Sequence, residues 1–411
     1  MIKSLREKIA RGFQSGRVPG YALFLVSMML LGLASGMFRG VQDNYLAYLG
    51  IGKAGRGVVE FFRELPGLLL FLLLAPFYRM AERRIIRVAF LISGLGIVGF
   101  LLVGGQVVPA VACLVLWSTG EHLIMPVRRS YAIHAAEPGK EGVAMGFMRG
   151  MENAGQVVGL GLVPLIFSLS VVKNQQEAGG RLGYVVVFII VGSVLTLAIL
   201  TSLGMSGSQG KLERKKFFVQ RKFVRYYGLE IFYGARKQVF LTFAPYLLIL
   251  RYGADPAYLA SLLGACALIN IVFTPLIGRV IDKLGYRTVM IGDTCILFFV
   301  CLAYGFAHRF FTPETAFVVV SVVFILDWMI SNASMASSVY VGRISENKEE
   351  MAATLSTGIS INHVISVLIA LGGGYIWQSL GVELLFVVAA LMAVGNTLFA
   401  LTIPKLEPSP S

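Results

Sequence analysis

The chain has 411 residues, 56% of them hydrophobic and 14% charged, with a mean hydropathy of +0.76. A soluble domain carries roughly 25% charged residues, so this composition excludes a globular core in water and makes a bilayer the solvent for most of the chain. The formal charge of +14 is spread between apolar segments along the whole length, which excludes a nucleic-acid surface and fits basic residues kept on the cytoplasmic side of a membrane.

In residues 1–19, Ile2, Leu5, Ile9 and Phe13 recur at helical spacing among Lys3, Arg6, Lys8 and Arg11. This pattern predicts a basic amphipathic helix on the cytoplasmic surface. The apolar run from Tyr21 is too long for a cleavable signal, and no small-x-small site follows it. Stretches long enough to cross a bilayer follow at about 20–49, 55–78, 85–106, 108–133, 142–170, 183–204, 224–250, 256–279, 287–308, 314–340, 350–378 and 382–402. That predicts twelve transmembrane helices. Most of the 36 Lys and Arg residues fall on one side of them, which places both termini in the cytoplasm.

Residues 205–223 read as a cytoplasmic linker between two bundles, 20–204 and 224–402. Its strip Lys211–Lys222, with Phe217, Phe218 and Phe223 interleaved, suits anionic inner-leaflet lipids or a merely solvated linker. Residues 403–411 form a short cytoplasmic tail. The four cysteines, Cys113, Cys266, Cys295 and Cys301, sit inside helices without metal-ligand spacing and read as small packing residues.

The two bundles are copies. Arg79-x-x-Glu82-Arg83-x-x-x-Arg87 recurs as Arg279-x-x-Asp282-Lys283-x-x-x-Arg287, about 200 residues on, with every charge sign kept. Tyr131-x-x-His134-x-x-Glu137 recurs as Tyr340-x-x-Arg343-x-x-Glu346. Internal repeats in a helical membrane protein are the mark of solute carriers.

Gly278-x-x-x-Asp282-x-x-Gly285-Tyr286-Arg287 resembles the loop between helices 8 and 9 of the major facilitator superfamily. The copy between helices 2 and 3 has Tyr78 and Ile85 where the glycines belong. Pro126 through Gly146 is similar to the family's helix 4–loop–helix 5 pattern. The resemblance spans the chain. It implies an all-α membrane protein of two pseudo-symmetric six-helix bundles around a cavity that opens alternately to each side. It also implies a gating role for Arg79, Glu82, Arg83, Arg87, Gly278, Asp282, Lys283, Gly285 and Arg287. In that scheme Glu82 and Asp282 pair with arginines across the bundle junction; the bland alternative is inner-surface charge.

Ionisable groups at lipid depth cost several kcal/mol unless paired or wetted, so those within the stretches mark candidate solute contacts. The first stretch has Arg39, Asp43 and Asn44; the fourth has Glu121 and His122; the fifth has Arg149, Glu152, Asn153 and Gln156 on one face. Tyr233, Arg236 and Lys237 follow on the seventh, Asn270 on the eighth, Asp327, Trp328 and Asn332 on the tenth, and Asn362 and His363 on the eleventh. Aligning the halves brings Arg39 within one residue of Arg236. Two arginines from equivalent helices suit a carboxylate, phosphate or sulfonate. Tyr233-Gly-Ala-Arg236-Lys237-Gln238 resembles, over this one helix, a motif of organophosphate/phosphate antiporters. Alternatively the acids neutralise these arginines, with Arg149 bridging Glu152 and Arg39 bridging Asp43, and the solute is a sugar or other neutral polar molecule with Trp328 as a platform.

Glu121, His122, Asp327 and His363 are candidates for proton coupling, the histidines serving otherwise as packing residues. Gly155-x-x-x-Gly159-x-Gly161-x-x-Pro164 resembles an antiporter glycine/proline motif at altered spacing, a pattern that helix packing also produces. No nucleophile–base pair, ATP loop, cofactor motif or metal site is present in the sequence, so no enzyme activity and no cofactor is expected. The expectation is a monomeric, multi-pass plasma-membrane transporter of a small, anionic organic solute. The alternatives are a sugar permease, drug or metabolite efflux, a lipid flippase or scramblase, and a non-transporting membrane sensor.

Overall fold

At lipid depth every backbone N–H and C=O must bond within its own segment, which leaves long apolar runs only the helix. The computed structural model describes residue 16 and residues 19–77, 79–177, 179–206 and 219–404, and the described chain is nearly all helical. Most of the basic segment 1–19, Tyr78, Ala178, most of the linker and most of the tail lie outside the described residues.

The helices in order are α1 Tyr21–Tyr48, α2 Lys53–Leu68, α3 Leu70–Leu74, α4 Glu82–Leu102, α5 Val107–Ala135, α6 Glu141–Ser168, α7 Ser170–Glu177, α8 Leu182–Leu203, α9 Val224–Tyr252, α10 Pro256–Leu284, α11 Tyr286–Phe310, α12 Pro313–Ile330, α13 Met335–Ile344 and α14 Lys348–Leu401. Among the described residues eight helices are long and apolar enough to cross a membrane, and α6 with α7, bent by 77°, makes a ninth candidate. One of the eight is the long α14, broken at Gly381, whose φ of 92° only glycine adopts readily. Neither α2 nor α9 meets that measure. Both carry charge inside the helix: Lys53, Arg56, Glu60, Arg63 and Glu64 on the first, Arg225, Glu230, Arg236 and Lys237 on the second. The stretch expected at 55–78 is also interrupted, because Pro66 removes a helical N–H and the chain leaves the helix at Leu69 before α3.

Large apolar side chains such as Leu102, Val272, Phe299 and Phe310 are exposed, the reverse of a protein that faces water. The chain divides into two compact units. The first draws on Met1–Leu49, Leu65–Glu213 and Asp255–Gly264; the second on Gly50–Glu64, Arg214–Ala254 and Ala265–Ser411. Two short segments therefore group differently from the bundles expected at 20–204 and 224–402.

In the first unit α1 packs along α6 and α8, and α4 along α5 and α8. Phe38, Tyr45, Phe100, Trp117 and Phe188 interlock in its core. The α1–α6 contact is backbone on backbone. Gly32 and Gly36 lie against the carbonyls of Glu152 and Gln156, and Gly155 and Gly159 lie against those of Met29 and Leu33. Any side chain at these four positions would collide with main chain, so this spacing has a packing cause.

In the second unit α9 and α11 pack against α14, with Phe240, Tyr304 and Phe386 in ring contact. The Gly50–Glu64 segment belongs here because Gly57 abuts the Ala370 carbonyl and Gly374 faces Ala54 and Gly57. Tyr246 also donates to the Ile51 carbonyl.

The repeated loops do matching work. Arg87 donates to the Ser202 and Leu203 carbonyls at the end of α8 (2.8 and 3.2 Å from Nη2), and Arg287 donates to the Leu401 carbonyl at the end of α14 (2.6 Å). Each satisfies carbonyls that a helix C-terminus leaves open. The lost glycine of the first copy has a local reason: Ile85 is already inside α4, whereas Gly285, at φ 80°, precedes α11.

Candidate functional site

Helix α9 organises the polar interior of the second unit. Arg236 is buried, and its Nη1 donates to both oxygens of Asp293 at 2.7 and 2.8 Å. Its Nη2 donates to Asp327 Oδ1 at 3.1 Å. Asp293 on α11 and Asp327 on α12 are both buried. One guanidinium thus stands between two carboxylates. The Tyr233 hydroxyl, one turn away and close enough to feel both Arg236 and Asp293, has no hydrogen-bond partner among the described residues. A water-sized hollow of about 10 Å³ borders Arg236, with Leu297, Met392 and Asn396 in its wall.

Nearer the start of α9, Glu230 accepts from Asn362 at 3.3 Å and from Ser337 at 3.4 Å, and Lys237 lies within its electrostatic reach. On the Gly50–Glu64 segment Arg56 and Arg63 both donate to Glu60, at 2.7 and 2.8 Å, and Arg63 donates to Glu64 at 2.6 Å. Gln238 adds a donor to Glu60 at 3.0 Å, and His363 Nδ1 lies 3.2 Å from Glu64. Two arginines balance two glutamates there. Asn332 bridges Asn270 and Thr274 at 3.0 Å each, and Trp328 leans on Phe324.

The first unit has a different charge balance. Ser35 on α1 donates to Glu121 on α5 at 2.9 Å, and His122 Nδ1 lies 2.8 Å from the Ser118 carbonyl. Glu152 on α6 accepts from Arg128 on α5 at 2.5 Å. It does not pair with Arg149, the partner that spacing suggested. Asp43 and Asn44 are buried, Gln156 is half-buried, and Arg39, Arg149 and Asn153 are exposed. Among the described residues Arg39 makes no ion pair.

The gating residues divide. Glu82 is buried at the start of α4 and bonds His134 of its own unit at 2.9 Å. Its counterpart Asp282 is exposed, as are Arg79 and Lys283; Arg83 and Gly278 are half-buried. Outside the helical core, Lys222 reaches Glu350 at 2.7 Å and Glu346 at 2.9 Å, and these bonds, Glu350 first, raise its ammonium above the usual lysine range.

Residues 226–411 match the family model of the Major Facilitator Superfamily. The fold of the nucleoside transporter NupG extends the likeness to nearly the whole chain: TM-score 0.72 at 13% identity, covering 94% of this chain and 100% of that one. The second half of the chain is thus similar in sequence to that superfamily, and the likeness over the rest is one of fold. A D-xylose-proton symporter is similar at TM-score 0.71 and 16% identity, covering 94% of this chain and 97% of that one. A bacterial homologue of the human lysosomal transporter Spinster, in an inward-facing and occupied conformation, is similar at 0.70 and 14%, covering 93% and 95%. No curated protein matches by sequence. At these identities the solved structures show a shared fold with this chain.

Sequence reasoning passed over Asp293, Arg128, Arg129, Arg56 and Glu60 as site residues. A census of every acid at lipid depth would have found Asp293, the only acid in the interior of its stretch. Nothing in the sequence links Arg128 to Glu152 rather than to the cytoplasmic surface.

Proposed function

We propose that this chain is a member of the major facilitator superfamily and a secondary active transporter that moves a small polar organic solute across the cytoplasmic membrane by alternating access. In this reading it is a monomer with twelve membrane-crossing helices and both termini in the cytoplasm, and proton movement is coupled through Asp293, Arg236 and Asp327.

The observation that carries the coupling is the charge count on α9: one buried arginine against two buried carboxylates. A well-packed apolar trio would serve stability as well or better, so three charges at lipid depth favour a functional role. The surplus negative charge is removed by one proton, shared by the pair rather than owned by either acid. Proton uptake frees one carboxyl from Arg236, and proton loss restores the double grip. This gives the unit two charge states that a solute can bias.

The same contacts weaken a clamp built from Arg39 and Arg236, since a guanidinium already held by two carboxylates is a poor anion receptor. An anionic solute then depends on the arginines of the first unit. One observation favours a neutral polar solute instead: the Asn270–Thr274–Asn332 set beside Trp328 offers amide and hydroxyl groups of the kind that recognise hydroxyl-rich molecules.

A thermal-shift screen of purified protein against sugars, sugar acids, phosphates and sulfonates supplies the test solute. Its uptake into proteoliposomes should respond to an imposed pH gradient. Asp293→Asn and Asp327→Asn should lose that response while keeping solute exchange at equal pH. Wild-type uptake that ignores the gradient would remove the coupling; solute binding without flux would remove transport.

A further inference from the structure

Three arginines of the first unit surround one acid. Arg128 and Arg129 lie on α5, and Arg149 and Glu152 lie one turn apart on α6. Arg128 bonds Glu152, with the two side chains 14% and 22% exposed. Arg129 is half-buried, and the charges that act on it are Arg149 and Arg128, both repelling, and Glu152. Among the described residues neither Arg129 nor Arg149 has a hydrogen bond or ion pair, and the buried Nε–H of Arg128 has no acceptor. Two positive charges are left without a counter-ion, and most of the guanidinium donors are unused. A solvated basic surface would splay these side chains apart and leave no buried donor. Here Arg128 is held on Glu152, Arg129 lies within electrostatic reach of Arg128, Arg149 and Glu152, and the single carboxylate neutralises a single charge.

We infer that Arg128, Arg129 and Arg149 form a receptor for a doubly charged oxyanion of the phosphate or dicarboxylate class. The forked guanidinium geometry matches such oxygens, and an anion of charge −2 completes the balance that Glu152 leaves open. The oxyanion belongs either to the transported solute, in which case the site deepens the transport reading and rests on it, or to the phosphomonoester headgroup of a lipid such as phosphatidic acid. Binding itself depends on neither transport nor proton coupling.

The test uses full-length protein in nanodiscs of phosphatidylcholine alone, titrated calorimetrically with inorganic phosphate and with malonate at low salt, and repeated with phosphatidic acid in the discs. Binding is expected in the neutral discs and should weaken as salt screens the charges. Arg129→Gln and Arg149→Gln should each raise Kd by about tenfold or more, the effect of losing a charge-assisted contact. The exposed Arg84→Gln should leave it unchanged. Glu152→Gln should tighten binding several-fold, a gain that damaged folding cannot mimic. Phosphate binding in neutral discs supports a solute site. Phosphatidic acid binding alone, abolished by the same two arginine variants, supports the receptor with a lipid as its occupant. Absence of both, or binding indifferent to Arg129→Gln, Arg149→Gln and Glu152→Gln, overturns the inference, and it does so whatever the flux assay shows.

Discussion

Replacing Arg236 by glutamine should do more damage than replacing either of its acids. The arginine makes contacts of 2.7, 2.8 and 3.1 Å with two buried carboxylates. Without it, Asp293 and Asp327 remain buried with no other ion-pair partner among the described residues. Removing one partner of a buried pair costs about 3–5 kcal/mol. At roughly 2–4 °C per kcal/mol for a unit of this size, that is a melting shift of about 6–20 °C. Asp293→Asn loses charge-assisted bonds but leaves Arg236 and Asp327 balanced, so its cost should be smaller, about 1–3 kcal/mol. The triple variant Arg236→Gln/Asp293→Asn/Asp327→Asn carries only neutral amides and should recover part of the loss, which is non-additivity from a shared network. The buried Cys266 and Cys301 of the same unit provide the readout. A thiol-reactive fluorophore reports their exposure as purified protein is heated in one detergent. If Arg236→Gln melts within about 2 °C of the parent, or the triple variant melts below Arg236→Gln, the charge-balance argument is wrong.

Gly155→Val should force α6 away from the Met29 carbonyl and destabilise the first unit by about 1–3 kcal/mol, seen as earlier labelling of the buried Cys113; unaltered labelling would mean the helices part freely. Arg87→Gln and Arg287→Gln should lower stability to a similar extent, about 1–3 kcal/mol each, because both cap the last helix of their unit; an effect in one alone would contradict equivalent roles. Lys222→Gln tests the contact with Glu346 and Glu350. Because the folded chain raises the Lys222 ammonium, the contact is at full strength below the ordinary lysine value of about 10.4 and fades as pH rises beyond it. The melting difference from wild type should therefore be equal at pH 7 and pH 9, and a difference that disappears by pH 9 would refute the assignment.

Helix existence was legible because it depends on local composition, and so were the equivalent loops, since Arg87 and Arg287 meet the same kind of carbonyl. Helical spacing also placed Arg236 and Asp327 at lipid depth. It could not choose their neighbours. Arg236 meets partners 57 and 91 positions away, and that choice is made when helices pack. The same limit misassigned Glu152, whose nearest arginine in sequence is not its partner. Arg39 and Asp43 share a helical face by spacing, yet one is exposed and the other buried. Breaks were legible only where chemistry is strict: Pro66 is visible in the sequence, whereas the turn at Gly381 looks like any other glycine in a chain that has 46.

The carbonyl-to-glycine contacts of α1 and α6 have a consequence for anyone who follows this molecule in time. Because main chain touches main chain at four positions on the two helices, neither can slide or swivel alone without steric overlap. They behave as a single splint. A spectroscopic tag attached to an exposed position such as Leu165 would therefore track Ser35 and Glu152 together, and distances measured from either helix to a fixed reference should change in step throughout a working cycle.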